Sequence, residues 1–412
     1  MTKRRNCDVA IVGAGPAGSV AAAILARKGY EVLVLERQAF PRFSIGESLL
    51  PQCMAFLDEA GMIPAVEAAG FQLKKGAAFE RAGQHSSFDF SDKSAEGWST
   101  TFQVQRARFD ELLAAEAAKA GAEVRFRCEI TSVDLEGPGV SLRYQDEAEG
   151  EGEVRCRFCL DASGFGKSLA GLLGMALPDD GIQRESLFTH VGDGMFLGTM
   201  DRDKILITVH PVHHAVWFWL IPFSNGTSSL GVVGPPAFFR GYSGDPLTDL
   251  RTIVAEVGYL GDLMKPVAFD SPVRRVQGYA SRVSRLHGPG FALIGNAGGF
   301  IDPVFSSGVT IALKSASLAA AAVSNELGDS EVDWAEAFAN PLNRGVETFR
   351  HFVSAWYDTS LQDVIFARSP NPRIRRMICS ILAGYAWDEE NPYVEQPQRR
   401  LRALSEMCRL NP

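Results

Sequence analysis

Short apolar runs alternate with helical patterns from the first residues of the chain. Val9-Ala-Ile-Val12 is apolar throughout, the pattern of a strand buried on both faces. Ser19 to Lys28 then carries apolar residues at helical spacing, Gly29 ends that stretch, and Glu31 to Leu35 returns to a strand that closes at Glu36. Gly13-Ala-Gly15-Pro-Ala-Gly18 lies between the first strand and the helix. In such a βαβ unit one glycine makes the tight turn and one admits a pyrophosphate to the helix N-terminus. The third lets helix and strand pack closely. Glu36, eighteen residues beyond Gly18, stands where an acid accepts ribose hydroxyls. The unit predicts dinucleotide binding by Gly13, Gly15, Ala17, Gly18 and Glu36.

Further on, Arg42 to Pro51 reads as a loop leading into a helix over Gln52 to Gly61, and Val104 to Asp110 precedes a helix over Glu111 to Ala120. Strands fill Gly121 to Gly164, with Asp146 to Glu153 as a solvated acidic hairpin. Residues 180–280 are read as strands (Lys204 to His210, Ala215 to Pro222, Ser228 to Val233), an antiparallel sheet inserted into the dinucleotide-binding portion. Phe291 to Phe300 is a strand and turn. Asp302-Pro-Val-Phe-Ser-Ser-Gly-Val309 is a second turn, opening a helix over Thr310 to Ala322. A helix start offers unpaired N–H groups and partial positive charge, and Ser306, Ser307 and Gly308 are small enough to let a flat ring or small anion approach. Beyond Asp329 the pattern is helical.

Composition bounds the partners. The 412 residues, 46% hydrophobic and 22% charged, can bury one large α/β core or two joined domains. A net charge of −8 without a basic stripe argues against nucleic acid. Lys3, Arg4 and Arg5 are followed by polar residues, and no uninterrupted apolar run reaches the ~18–20 residues of a spanning helix, so neither signal peptide nor membrane span is expected. Seven scattered cysteines suit reduced thiols in the cytoplasm. Cys156-x-x-Cys159 lacks a second pair and no histidine has a ligand companion, so no metal is expected.

The order of the glycine turn, the Arg42–Pro51 loop, Arg106 before its helix, Leu160-Asp-Ala-Ser-Gly164 and Gly295-Asn296-Ala297 resembles the flavoprotein family of aromatic hydroxylases, geranylgeranyl reductases and flavin-dependent halogenases, from residue 8 to about 320. The resemblance implies FAD, its ADP half on the first βαβ unit and its ring beside the late turn. Further cofactor contacts then fall to Arg37, Ser48, Arg106, Asn296, Asp302, Gly308 and Val309. The expected fold is α/β: a Rossmann-like FAD-binding domain (1–75, 100–178, 280–330), an inserted antiparallel β-sheet substrate domain (76–99, 179–279) and a small C-terminal helical region (331–412). Asn296 departs from the family's Gly-Asp, replacing a charged acceptor by an amide.

Three stretches are similar to the halogenase branch. Trp217-Phe-Trp219-Leu-Ile-Pro222 matches its tryptophan signature, and strand alternation puts both indoles on one face. Lys74-Lys75-Gly-Ala matches its lysine segment, with Lys74 at the catalytic position and Lys75 as the fallback. Asp302 to Gly308 matches the turn whose N–H groups, here Ser307 and Gly308, hold halide. The resemblance implies halogenation of an electron-rich aromatic, of phenol or pyrrole type and free or carrier-bound. Its route is a flavin C4a-hydroperoxide and hypohalous acid, with chloride or bromide and with reduced FAD from a separate flavin reductase. Trp217, Trp219 and Phe305 would line the substrate pocket. Phe305 replaces the acid of tryptophan halogenases, which points away from free tryptophan. The competing readings are a single-component FAD monooxygenase using NAD(P)H and a prenyl reductase of the geranylgeranyl type, for which Cys53 near the flavin would matter.

Overall fold

The first apolar run lies mid-sheet, where both of its faces can be covered. In the computed structural model, which describes residues 3–177, 183–194, 198, 200–278 and 282–410, strand Lys3–Val12 pairs in parallel with Gly150–Asp161 on one side and Val32–Glu36 on the other. Phe291–Leu293 and Glu123–Phe126 extend this sheet in parallel at either end. Val9, Ala10 and Ile11 are fully buried. Helix Pro16–Arg27 begins with proline in its first turn, where a missing N–H costs nothing, and buries an alanine-rich face against helix Ser307–Leu327. Ala21, Ala22 and Ala23 have no exposed surface, and their small size lets the helices approach closely.

The second sheet has seven strands in the order Arg274–Gln277, Glu185–Gly192, Thr227–Gly234, Trp217–Pro222, Lys204–Val209, Gly76–Arg81, Gln84–Asp89. All its pairings are antiparallel except that of Gly76–Arg81 with Lys204–Val209, which is parallel. The expected antiparallel sheet is therefore mixed at one seam, where strands far apart in sequence meet. Nor is the inserted region made of strands alone. Pro246–Ala255 and Gly258–Met264 are helices whose Leu250, Ile253, Val254 and Leu260 cover Leu187, Phe218, Leu230 and Val232 on the outer sheet face. The domain breaks expected at 178/179 and 279/280 lie outside the described residues. The acidic hairpin turns between Val140–Asp146 and Gly150–Asp161, but Asp146 is buried and paired with Arg125 (2.5 Å) rather than solvated. The helix expected at 52–61 spans Cys53–Glu59, and the one expected at 310–322 spans Ser307–Leu327. That last helix is long and apolar enough to cross a membrane, yet more than half of it is buried within the protein.

Helix Asn340–Tyr357 and the shorter helices after it complete the expected C-terminal region. Trp356, fully buried, ties this region to the body. Its ring lies 6.0 Å from Phe79 of the second sheet and 5.9 Å from Phe305 of the late turn. Trp356→Ala should cost about 3–5 kcal/mol, measured by denaturant unfolding. A loss below about 1 kcal/mol would mean that the C-terminal helices contribute little to the common core.

Candidate active site

A cavity of about 310 Å³ takes its walls from both sheets and from the late turn. At one end lies the first glycine turn. Gly13 has φ +99°, and a Cβ there would sit 2.6 Å from the Ala162 carbonyl oxygen; a Cβ on Gly18 would overlap the Gly13 carbonyl. These two glycines shape the turn, while Gly15 and Ala17 face the cavity. Glu36 is buried at the cavity wall and accepts the Ala14 and Gln38 N–H groups, both at 2.9 Å. Arg37 lines the cavity beside it, and Arg42, which the sequence reading did not single out, closes over Gly15. Arg42 pairs with Asp110 (3.2 Å), the same carboxylate that Arg106 grips through two bonds of 2.7 and 3.0 Å. Arg106 also donates to the Ile45 carbonyl, so one buried acid organises the loop before Glu47.

At the other end is the helix start. Asp302 accepts the Val304 N–H (3.0 Å), Ser306 turns left-handed at φ +57°, and Ser307 begins the helix. Asn296, Gly308 and Val309 line the cavity; Ser307 lies behind its lining with a buried hydroxyl that has no partner. Asp302 is held behind the lining by a chain of donors. Trp217 Nε1–H donates to Tyr357 Oη (3.0 Å), and Tyr357 donates to Asp302 Oδ2 (2.6 Å). Burial pushes Asp302 up against the pull of that bond, and burial with the neighbouring Asp302 charge pushes the Tyr357 phenol higher still. Phe305, expected in the substrate pocket, is turned into the core. Its ring meets Phe352 and Trp356 edge-on at 6.4 and 5.9 Å, where an apolar side chain is better placed than against the polar turn.

Trp217, Trp219 and Ile221 alternate onto the cavity face of their strand. Trp219 donates to Ser229 Oγ (2.9 Å) and lies across Gly231 of the next strand, where a Cβ would overlap its ring. Lys74 is 1% exposed and stands behind Ser48, donating to Ser48 Oγ (2.7 Å) and the Leu49 carbonyl (2.8 Å). Ser48 lines the cavity, so the amine reaches it through this hydroxyl. Burial pulls the amine down to about 7. Lys75 points outward to Asp203 (2.7 Å). Cys53 is fully buried with its sulfur 3.1 Å from Thr310 Oγ1, and burial pushes its thiol up. Glu47, also overlooked in the sequence, lines the cavity and meets His190 Nε2 at 2.7 Å.

Residues 6–237 match a family described as the FAD binding domain. The chain is 34% identical to the tryptophan 2-halogenase of Chondromyces crocatus over 81% of its own length and 63% of that protein's. It belongs to the flavin-dependent halogenase-like family. It is also 28% identical to a 1H-pyrrole-2-carbonyl peptidyl-carrier-protein chlorinase of Pseudomonas fluorescens over 97% and 94% of the two chains. A crystal structure of a flavoprotein/dehydrogenase from Cytophaga hutchinsonii superimposes with a TM-score of 0.95 at 41% identity, covering 98% and 99% of the two chains. The chain spans just under two thirds of the tryptophan 2-halogenase.

The family's FAD fits the residues present. The glycine turn, whose shape needs Gly13 and Gly18 without side chains, opens Gly15 to the cavity, Arg37, Arg42 and Arg106 bring positive charge to it, and the cavity runs on to the helix start. In this halogenase-like frame the lysine has a measurable signature. Its ammonium is disfavoured in the fold, so the unfolded chain binds the proton more tightly between about pH 7 and the ordinary lysine value near ~10.4. That penalty is fully present below pH 7, shrinks as pH rises through the window and vanishes above it. Thermal or denaturant unfolding should therefore show Lys74→Met more stable than wild type at pH 6, on the order of a few kcal/mol, with the gap closing by pH 10. A gap independent of pH would mean that the amine is not desolvated.

Proposed function

We propose that the chain is a two-component flavin-dependent halogenase acting on an electron-rich aromatic of phenol or pyrrole type, free or carrier-bound, with chloride or bromide as the halide. The observation that carries this reading is Lys74, a buried amine presented through Ser48 to a cavity that also holds a tryptophan wall and an open helix start. Reduced FAD, delivered by a separate flavin reductase in the cytoplasm, supplies with oxygen the two-electron oxidation of halide. Per turnover one reduced FAD, one oxygen molecule, one halide, one proton and one aromatic C–H give oxidised FAD, one C–halogen bond and two waters.

The chain's own residues do the placing. Gly15, Ala17, Glu36, Arg37, Ser48, Arg106, Asn296 and Val309 bind the dinucleotide, with Gly13, Gly18 and Asp302 fixing the turns from behind. The N–H groups of Ser307 and Gly308 hold halide at the positive end of a 21-residue helix. Trp217 and Trp219 keep the aromatic substrate away from the oxidising centre. An amine near neutral pKa, as Lys74 has, can donate a hydrogen bond to hypohalous acid or accept halogen as a haloamine. The division at 1–75, 100–178 and 280–330 for FAD, 76–99 and 179–279 for substrate, and 331–412 for the C-terminal helices accompanies this reading.

Protein carrying FAD should not bleach when mixed anaerobically with NADPH or NADH. Supplied with reduced FAD and bromide in air, it should give a bromine isotope doublet on phenol or pyrrole probes and none on free tryptophan. Rapid bleaching would favour the hydroxylase reading; bromotryptophan would overturn the substrate class. Lys74→Ala should lose product by more than about 100-fold with FAD absorbance retained, and retained product would remove Lys74 from the reaction. In Gly308→Val, whose Cβ would meet Phe300 at 3.1 Å, the halide dependence of turnover should disappear. Unchanged halide kinetics would move the halide elsewhere.

A further inference from the structure

A reaction that consumes one proton per turnover, as halogenation does on the reading above, needs an acid on the cavity wall that solvent can recharge. Among the described residues the ionisable side chains lining the cavity are Glu36, Arg37, Arg42, Glu47 and Arg106. Arginine does not release protons in this pH range. Glu36 is tied to two backbone N–H groups. Lys74 reaches the cavity through Ser48 but is 1% exposed, so it can give a proton yet has no direct way to regain one from water. Glu47 differs in its partner. One carboxylate oxygen meets His190 Nε2 at 2.7 Å, and Glu47 is 5% exposed while the imidazole is 33% exposed. The pair thus joins the cavity wall to bulk solvent in two side chains.

We propose that Glu47 and His190 form the path by which that proton enters. Glu47 gives a proton to the oxygen that departs as water, breaking its own O–H bond. His190 restores it by passing Nε2–H to the carboxylate, and solvent reprotonates the ring. The surroundings suit the task. The ring packs against Phe43 and Phe223 at 6.5 and 5.4 Å, which fixes its orientation. The charged neighbours are Glu47 and Arg274, the latter lying over Phe43 at 4.1 Å. Burial and Arg274 pull the imidazole down, Glu47 pulls it up, and the net direction is up, so the ring stays protonated further into the neutral range.

The test uses the full chain supplied with reduced FAD, bromide and oxygen, with monochlorodimedone as the halogen acceptor. His190→Gly should slow bromination at least tenfold above pH 7. Added imidazole should restore it in proportion to the imidazolium present, a rescue that a merely loop-pinning histidine would not show. His190→Gln, which can still hydrogen-bond Glu47 but carries no exchangeable acid, should be equally slow. Wild-type rates in either variant, or a loss that imidazole leaves untouched, would overturn the path. Histidine ring NMR of the FAD-bound protein gives an arm independent of turnover: Glu47→Gln should lower the His190 titration midpoint, and an unmoved midpoint also overturns the proposal. Wild-type protein that brominates nothing would sink the halogenase reading instead, leaving the NMR result to judge the pair.

Discussion

A carboxylate withdrawn from water must be met by donors, and Asp302 is the half-buried acid on which this site's shape rests. Its two partners come from different directions. Val304 N–H sits two residues on, and Tyr357 O–H arrives from the C-terminal helix. Because Tyr357 in turn accepts the indole N–H of Trp217, the turn before the long helix, the tryptophan strand and the C-terminal helix are fixed by one line of hydrogen bonds. Arg184 lies over the Tyr357 ring at 3.9 Å and adds positive charge without competing for the hydroxyl. Trp217 spends its only donor in this line, so no N–H of its own is left to offer a ligand.

A second constraint is the Gly46–Ser48 segment. Its backbone is held by Val104 N–H donating to the Glu47 carbonyl (2.7 Å) and by the bridge between Ser48 and Gln103. Neighbouring residues on extended backbone point to opposite sides. Glu47 accordingly reaches the second sheet at His190, and Ser48 reaches Lys74, whose strand pairs with that of Gln103. Two acid–base groups of different character are presented to one cavity from consecutive positions, and the Asp110–Arg106 pair keeps the preceding loop in place.

What was legible in the sequence was local. The glycine turn with Glu36, the paired tryptophans and the small-residue helix start each declare themselves within a few residues, through backbone sterics or strand alternation. The rest depends on partners far along the chain. Lys74 is buried because Gln72–Lys74 pairs with Thr101–Gln103 and brings the amine under Ser48, a register that no nearby residue specifies. Phe305, just before the left-handed Ser306, points inward to meet Trp356, fifty-one residues on. The parallel seam at Gly76–Arg81, the Asp110 clasp on Arg42 and the meeting of Glu47 with His190 are long-range pairings. The helices at 246–264 were hidden for another reason: they follow a run of strands, and their apolar spacing was absorbed into that pattern.

The packing of Trp219 over Gly231 bears on how this cavity could change over generations. The indole occupies space that any side chain at 231 would need, although the two positions lie on different strands and 231 itself does not line the cavity. A larger residue at 231 is therefore harmful while tryptophan is present, and shrinking 219 removes only part of the obstacle, because the same Cβ would sit 2.7 Å from the Phe188 Cβ. Shrinking 219 alone leaves a hollow over the bare backbone, which 231 cannot fill while the Phe188 Cβ stands against it. A lineage that reshapes this wall has to do so at 219 itself, with 231 kept as glycine by neighbours on two strands.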